Sequence, residues 1–184
     1  NGGKNKPVSF AVSISRGYSY VGGTLTSNIS GNSQGADCVR VWLRDGKTRL
    51  TSQNDGQHYL LLPEDAGHKI LLRVSCSFPG RVGSTLKTAT SPKIVNGAQN
   101  VGSINISGQY IAGQTLTATP GAGWSSGASL RFQWLKDGKA IRGATSDFFD
   151  LPLSFEGHRI SLKVTAKKPG YDDAFGTTAQ TLIG

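Results

Sequence analysis

Residues 129–139 read Ser129-Leu130-Arg131-Phe132-Gln133-Trp134-Leu135-Lys136-Asp137-Gly138-Lys139. Leu130, Phe132 and Trp134 alternate with Arg131 and Gln133, the period of two of a half-buried strand. Asp137-Gly138 then marks a hairpin turn, where glycine supplies a positive φ without steric cost. The same turn recurs upstream, in Trp42-Leu43-Arg44-Asp45-Gly46-Lys47.

Other landmarks repeat in the same order. Val21-Gly22-Gly23-Thr24-Leu25-Thr26 matches Ala112-Gly113-Gln114-Thr115-Leu116-Thr117. Gly67-His68-Lys69-Ile70 matches Gly157-His158-Arg159-Ile160, and Pro79-Gly80 matches Pro169-Gly170. A period of about 90 residues is a whole domain rather than a solenoid unit. Ile70, Leu72, Val74 and Cys76 alternate with Leu71, Arg73 and Ser75, and Ile160, Leu162, Val164 and Ala166 do so with Ser161, Lys163 and Thr165. Short strands parted by turn residues predict an all-β chain of two antiparallel β-sandwich domains in tandem, 1–94 and 95–184. Strands are expected near 8–14, 24–29, 38–44, 47–51, 58–62, 69–77 and 85–90 in the first copy. In the second they are expected near 101–106, 114–119, 129–136, 139–142, 147–151, 159–167 and 176–182. No helix longer than one turn is expected, and the joint near Lys93 to Gln99 is short.

Composition agrees with this reading. The 184 residues include 25 Gly and 7 Pro, are 36% hydrophobic and 17% charged, and form no apolar run of membrane-spanning length. No Met occurs at all, so the chain reads as a piece of something longer. The net charge of +9 is uneven. Residues 1–94 hold 12 bases against 5 acids, and residues 95–184 hold 8 against 6. A basic first half favours polyanions such as wall polymers or acidic polysaccharides, although a merely soluble cationic surface has the same composition.

Cys38 opens the strand that carries Trp42, and Cys76 closes the strand that carries Ile70. As antiparallel neighbours the two strands bring these ends together, with both cysteines on the tryptophan side. The second copy holds the apolar pair Leu130 and Ala166 there. A Cys38–Cys76 disulfide is expected in an exported protein, whereas free thiols would be expected in a cytosolic one. Trp124 has no aromatic counterpart in the first copy, and is expected to cap one end of the second core.

These residues resemble bacterial immunoglobulin-like (Ig-like) repeats of secreted and surface proteins, of the actinobacterial type. The resemblance rests on Gly-x-Thr-Leu-Thr, Gln133 to Lys139, Ile141-Arg142-Gly143-Ala144-Thr145, Gly157-His158-Arg159-Ile160 and Lys168-Pro169-Gly170-Tyr171. The first copy departs from it: Arg40 stands for Phe132, Arg81 for Tyr171, and no Ile-x-Gly-Ala-Thr follows its hairpin. The resemblance implies extracytoplasmic, non-catalytic modules, and implies no shared ligand.

The sequence offers little chemistry. His68 and His158 occupy one scaffold position in both copies, which favours a structural role, and His58 stands alone. No metal-binding spacing, nucleophile elbow or phosphate-cradling loop occurs, so no catalytic residue, metal site or cofactor is expected. Asp172-Asp173 is a weak calcium signal. The other carboxylates, among them Glu64, Asp65 and Glu156, fall in turns. Phe132 and Trp134 read as core, which speaks against a nucleic-acid partner.

Two features could bind. Arg44, Lys47, Arg49 and Arg73 form a candidate anion-binding face, with Lys136, Lys139 and Arg142 at matching hairpin sites in the second copy; solvated hairpin charges account for them equally well. If Trp42 points inward, Val39, Val41 and Leu71 point outward as a candidate partner patch, where the second copy has Arg131, Gln133 and Ser161. The opposite register would bury the valines and expose Arg40. The expected role is adhesion, recognition or presentation at a cell surface, centred on the first domain. A polysaccharide-binding accessory region of a secreted hydrolase and a purely structural spacer are the alternatives.

Overall fold

A computed structural model describes residues 9–15, 18–31, 35–80 and 84–184. The chain divides into two compact units, 1–97 and 98–184. In unit 1 the strands are β1 Phe10–Ile14, β2 Thr24–Gly31, β3 Asp37–Arg44, β4 Thr48–Arg49, β5 His58–Leu60, β6 Lys69–Ser77 and β7 Ser84–Lys93. They form two antiparallel sheets of order β1-β2-β5 and β4-β3-β6-β7. Unit 2 contains β8 Ile104–Ser107, β9 Thr115–Pro120, β10 Ser129–Lys136, β11 Lys139–Ala140, β12 Phe148–Asp150, β13 Arg159–Lys167, β14 Ala174–Thr177 and β15 Thr181–Leu182. Its sheets run β12-β9-β8 and β11-β10-β13-β14, with β15 also pairing β13. Each unit is therefore an Ig-like sandwich, and the chain is all-β.

The alternation read from the sequence sets the cores. Ile70, Leu72, Val74 and Cys76 are buried along β6, as are Ile160, Leu162, Val164 and Ala166 along β13. Trp42 and Trp134 are fully buried, and each indole N–H donates to a backbone carbonyl, of Gly56 at 3.0 Å and of Ser146 at 3.0 Å. Each ring also stacks on the opposing sheet, Trp42 on Tyr59 at 6.0 Å and Trp134 on Phe149 at 5.7 Å. In both hairpins the Asp and the Gly have positive φ, 49° and 70° at Asp45-Gly46 and 47° and 78° at Asp137-Gly138. That is the double left-handed turn that matches strand twist.

Several boundaries differ from the sequence reading. The strand expected over 176–182 is two pieces, because the Thr178 amide and hydroxyl both bond Leu162 and break the ladder. The strand expected over 139–142 ends at Ala140, where the Ile141 amide turns to the Trp134 carbonyl. The strand expected over 85–90 runs from Ser84 to Lys93 across a bulge. The start expected at residue 8 and the Arg81 substitution lie outside the described residues. Helix is confined, among the described residues, to two 3-10 turns, Pro63–Asp65 and Leu153–Phe155. No helix among the described residues is long and apolar enough to cross a membrane.

Candidate recognition face

Cys38 lies directly opposite Cys76 on β3 and β6, and the two are bonded. Leu130 lies opposite Ala166 at the matching place in unit 2. The register follows from burial: Trp42 is fully buried and Val39 is 61% exposed. Arg40 lies on the inward side between Cys38 and Trp42, and its buried Nε has no hydrogen-bond partner among the described residues.

The outward side of the four-stranded sheet can be read row by row. Val39 pairs Ser75, which pairs Leu86; Val41 pairs Arg73, which pairs Thr88; Leu43 pairs both Arg49 and Leu71, and Leu71 pairs Thr90. Val39, Val41, Leu71, Arg73 and Arg49 therefore share one face. Leu86, 55% exposed, joins Val39 there. Sequence reasoning missed it, because β7 is rich in Ser and Thr and its apolar period is faint. Lys47 is exposed in the turn beside this face.

Arg44 is not part of the face. Its parity is that of Trp42, and its Nε donates to Asp65 Oδ1 at 2.7 Å. Asp65 is fully buried; its Oδ2 accepts the Tyr59 hydroxyl and the Leu62 amide, each at 2.8 Å. Burial pushes the Tyr59 hydroxyl well above its usual range, and the hydrogen bond to Asp65 adds to the shift. Unit 2 fills the same space differently. Phe149, Phe155 and Lys136 replace Tyr59, Asp65 and Arg44, with Lys136 Nζ 4.3 Å above the Phe155 ring. Sequence reading placed Asp65 in a turn, whereas the swap of three residues between copies was the available signal.

The outward face of unit 2 is unlike that of unit 1. Arg131 stands in the row of Val39, and Gln133 in that of Val41. The Gln133 amide donates to the carbonyls of Ile141 and Trp134, at 2.8 and 3.0 Å. Lys163 Nζ lies 4.0 Å above the Phe175 ring. Phe175, 57% exposed, shares the row of Arg131 and Thr165, so unit 2 has a basic and an aromatic side chain where unit 1 has Val39 and Leu86.

The histidines brace turns. His68 Nδ1 lies 2.6 Å from Asp45 Oδ2 and His158 Nδ1 lies 2.7 Å from Asp137 Oδ2, while the other carboxylate oxygens accept the Lys69 and Arg159 amides. These backbone bonds, and then the histidines, hold both carboxyls below the usual carboxylate range. His58 pairs with Asp55. Asp173, half of the acidic pair, is bridged to Lys167. Among the described residues no group of three His, Cys, Asp or Glu side chains could hold a metal ion.

No family model and no curated protein matches the chain. Solved structures give distant likenesses. Three N-terminal domains of the highly immunogenic outer capsid protein (Hoc) of bacteriophage RB49 are similar at 18% identity and a TM-score of 0.36 over 92% of this chain, which spans 58% of that one. Tandem Ig repeats of Dlar are similar at 12% identity and a TM-score of 0.29, covering 95% of this chain and 96% of the other. A chimeric titin Z1Z2 tandem is similar at 20% identity and a TM-score of 0.28, covering 97% and 100%. At such levels the strand order described above, and not the likeness, carries the fold.

Proposed function

We propose that the chain is a non-catalytic recognition segment of an exported, surface-associated protein, and that it makes contact through the outward sheet face of unit 1. The observation that carries this reading is the solvent-facing Val39, beside Leu86, where unit 2 has the charged Arg131 beside Phe175. Exposed β-branched and aliphatic side chains on one face favour a partner surface. Export is supported by the disulfide, since such bonds persist in oxidising compartments.

A second reading is favoured by the charge of residues 1–94: Arg49 and Arg73, with Lys47 beside them, contact an anionic polysaccharide or wall polymer. Ionic strength separates the two. Binding of the full chain to a glycan and protein array is to be measured at low and physiological salt. A shape-matched protein partner survives the change, whereas polyanion binding falls by about tenfold or more as the Debye length shrinks. A chain that binds nothing at either salt is a spacer, and the proposal then fails.

A further inference from the structure

The hairpin corner of unit 2 carries charge that unit 1 neutralises. Lys136 and Lys139 flank the Asp137-Gly138 turn and lie directly opposite each other across the β10–β11 ladder. Side chains so placed leave the ladder on one face, where like charges repel. In unit 1 the opposing pair is Arg44 and Thr48, and Lys47 falls inside the turn.

The counter-charge differs as well. Arg44 donates to the buried Asp65 and lies 4.0 Å from Glu64. Counted back from the Gly-His landmark, Phe155 stands in the place of Asp65 and Ser154 in that of Glu64. Lys136 is left with the face of the Phe155 ring, which compensates a cation less than a hydrogen-bonded carboxylate does. Among the described residues the ion pairs of unit 2 are His158–Asp137 and Lys167–Asp173, so neither Lys136 nor Lys139 has one, and Glu156, beside Phe155, meets neither.

A hollow of about 420 Å³ opens at this corner, a size that suits a small ligand. Lys136 and Lys139 bring two cations to it, and Ala140, Ile141 and Phe155 line it with apolar groups. Asp137 and His158 complete the lining. The Asp137 carboxylate is already engaged, Oδ2 with His158 and Oδ1 with the Arg159 amide.

We propose that this hollow of unit 2 binds a small organic carboxylate, with the anionic head between Lys136 and Lys139 and an apolar body against Ala140 and Ile141. The ammonium groups supply the charge complementarity, and the bound anion relieves the repulsion between them. The apolar lining calls for a ligand with a body, which a bare inorganic anion lacks. The site goes beyond the recognition proposed for unit 1 and does not depend on it.

The probe is cyclohexanecarboxylate, titrated into the full chain while the amide resonances are followed by two-dimensional NMR. Cyclohexanemethanol keeps the body without the charge, and inorganic phosphate keeps the charge without the body. Saturable shifts are expected at Lys136, Lys139, Ile141 and Phe155, with a Kd on the order of 1 mM. The alcohol and phosphate are each expected to bind more weakly by about threefold or more. Lys139→Gln removes an exposed cation and is expected to weaken the carboxylate by about threefold, and the double variant Lys136→Gln and Lys139→Gln by about tenfold. Equal binding of the acid and the alcohol, unchanged affinity in the double variant, or no saturation by about 20 mM overturns the proposal. Shifts confined to unit 1 overturn it too. The alcohol keeps the test decisive if the double variant misfolds.

Discussion

A carboxylate out of water needs a partner for each oxygen, and Asp65 has Arg44 on one side and Tyr59 with the Leu62 amide on the other. Removing one member of such a pair costs more than replacing the whole set. Asp65→Ala is expected to destabilise unit 1 by about 3 kcal/mol in urea melts. The triple change Tyr59→Phe, Asp65→Phe and Arg44→Lys, which installs the set found in unit 2, is expected to cost less than that single substitution. The Asp45 and Asp137 carboxyls are held below their unfolded value of about 3.9. Their stabilisation is therefore complete above that pH and is lost as pH falls through the folded values. The double variant Asp45→Asn and Asp137→Asn is expected to flatten the dependence of Tm on pH below about 4. An unchanged acid limb would contradict that assignment.

At the scale of elements, the two copies solve one packing problem with different residues. The bond between Cys38 and Cys76 spans 38 residues, worth on the order of 4 kcal/mol in the chain-entropy model. Replacing the pair with the Leu and Ala of unit 2 is expected to lose most of that and keep the fold, and thiol titration of the denatured, unreduced chain is expected to find no free sulfhydryl. Trp124 packs against the second core, and its indole N–H donates to the Ser103 carbonyl at 3.1 Å. It is only partly buried, so Trp124→Ala is expected to cost unit 2 about 2 kcal/mol, less than a fully buried tryptophan. β6, β10 and β13 were legible in the sequence because alternation writes burial directly into residue order, whereas β3 is placed by the sequence with its inward or outward register open. β7, β14 and β15 were not legible, because bulges and side-chain hydrogen bonds at Ser91 and Thr178 set their ends. Whether Val39 or Arg40 faces outward is open in the sequence and is decided by the burial of Trp42. Leu86 beside Val39, and the diversion of Arg44 to Asp65, depended on contacts between segments far apart in the chain.

Across the whole molecule, duplication separates scaffold from surface. Both units keep the buried tryptophan, the Asp-Gly turn and the His–Asp brace, so those features serve the fold. The outward sheet faces differ, Val39 and Leu86 in unit 1 standing where unit 2 has Arg131 and Phe175, and the recognition proposed above lies on the face of unit 1. The most direct measurement is the affinity of the full chain for its strongest array ligand, compared among wild type, Val39→Asp in unit 1 and Phe175→Ala in unit 2. Both positions are exposed, so stability should change by little. The expected result is a loss of about tenfold or more for Val39→Asp and none for Phe175→Ala. Full affinity in Val39→Asp with a loss in Phe175→Ala would place the contact on the other unit and contradict the account.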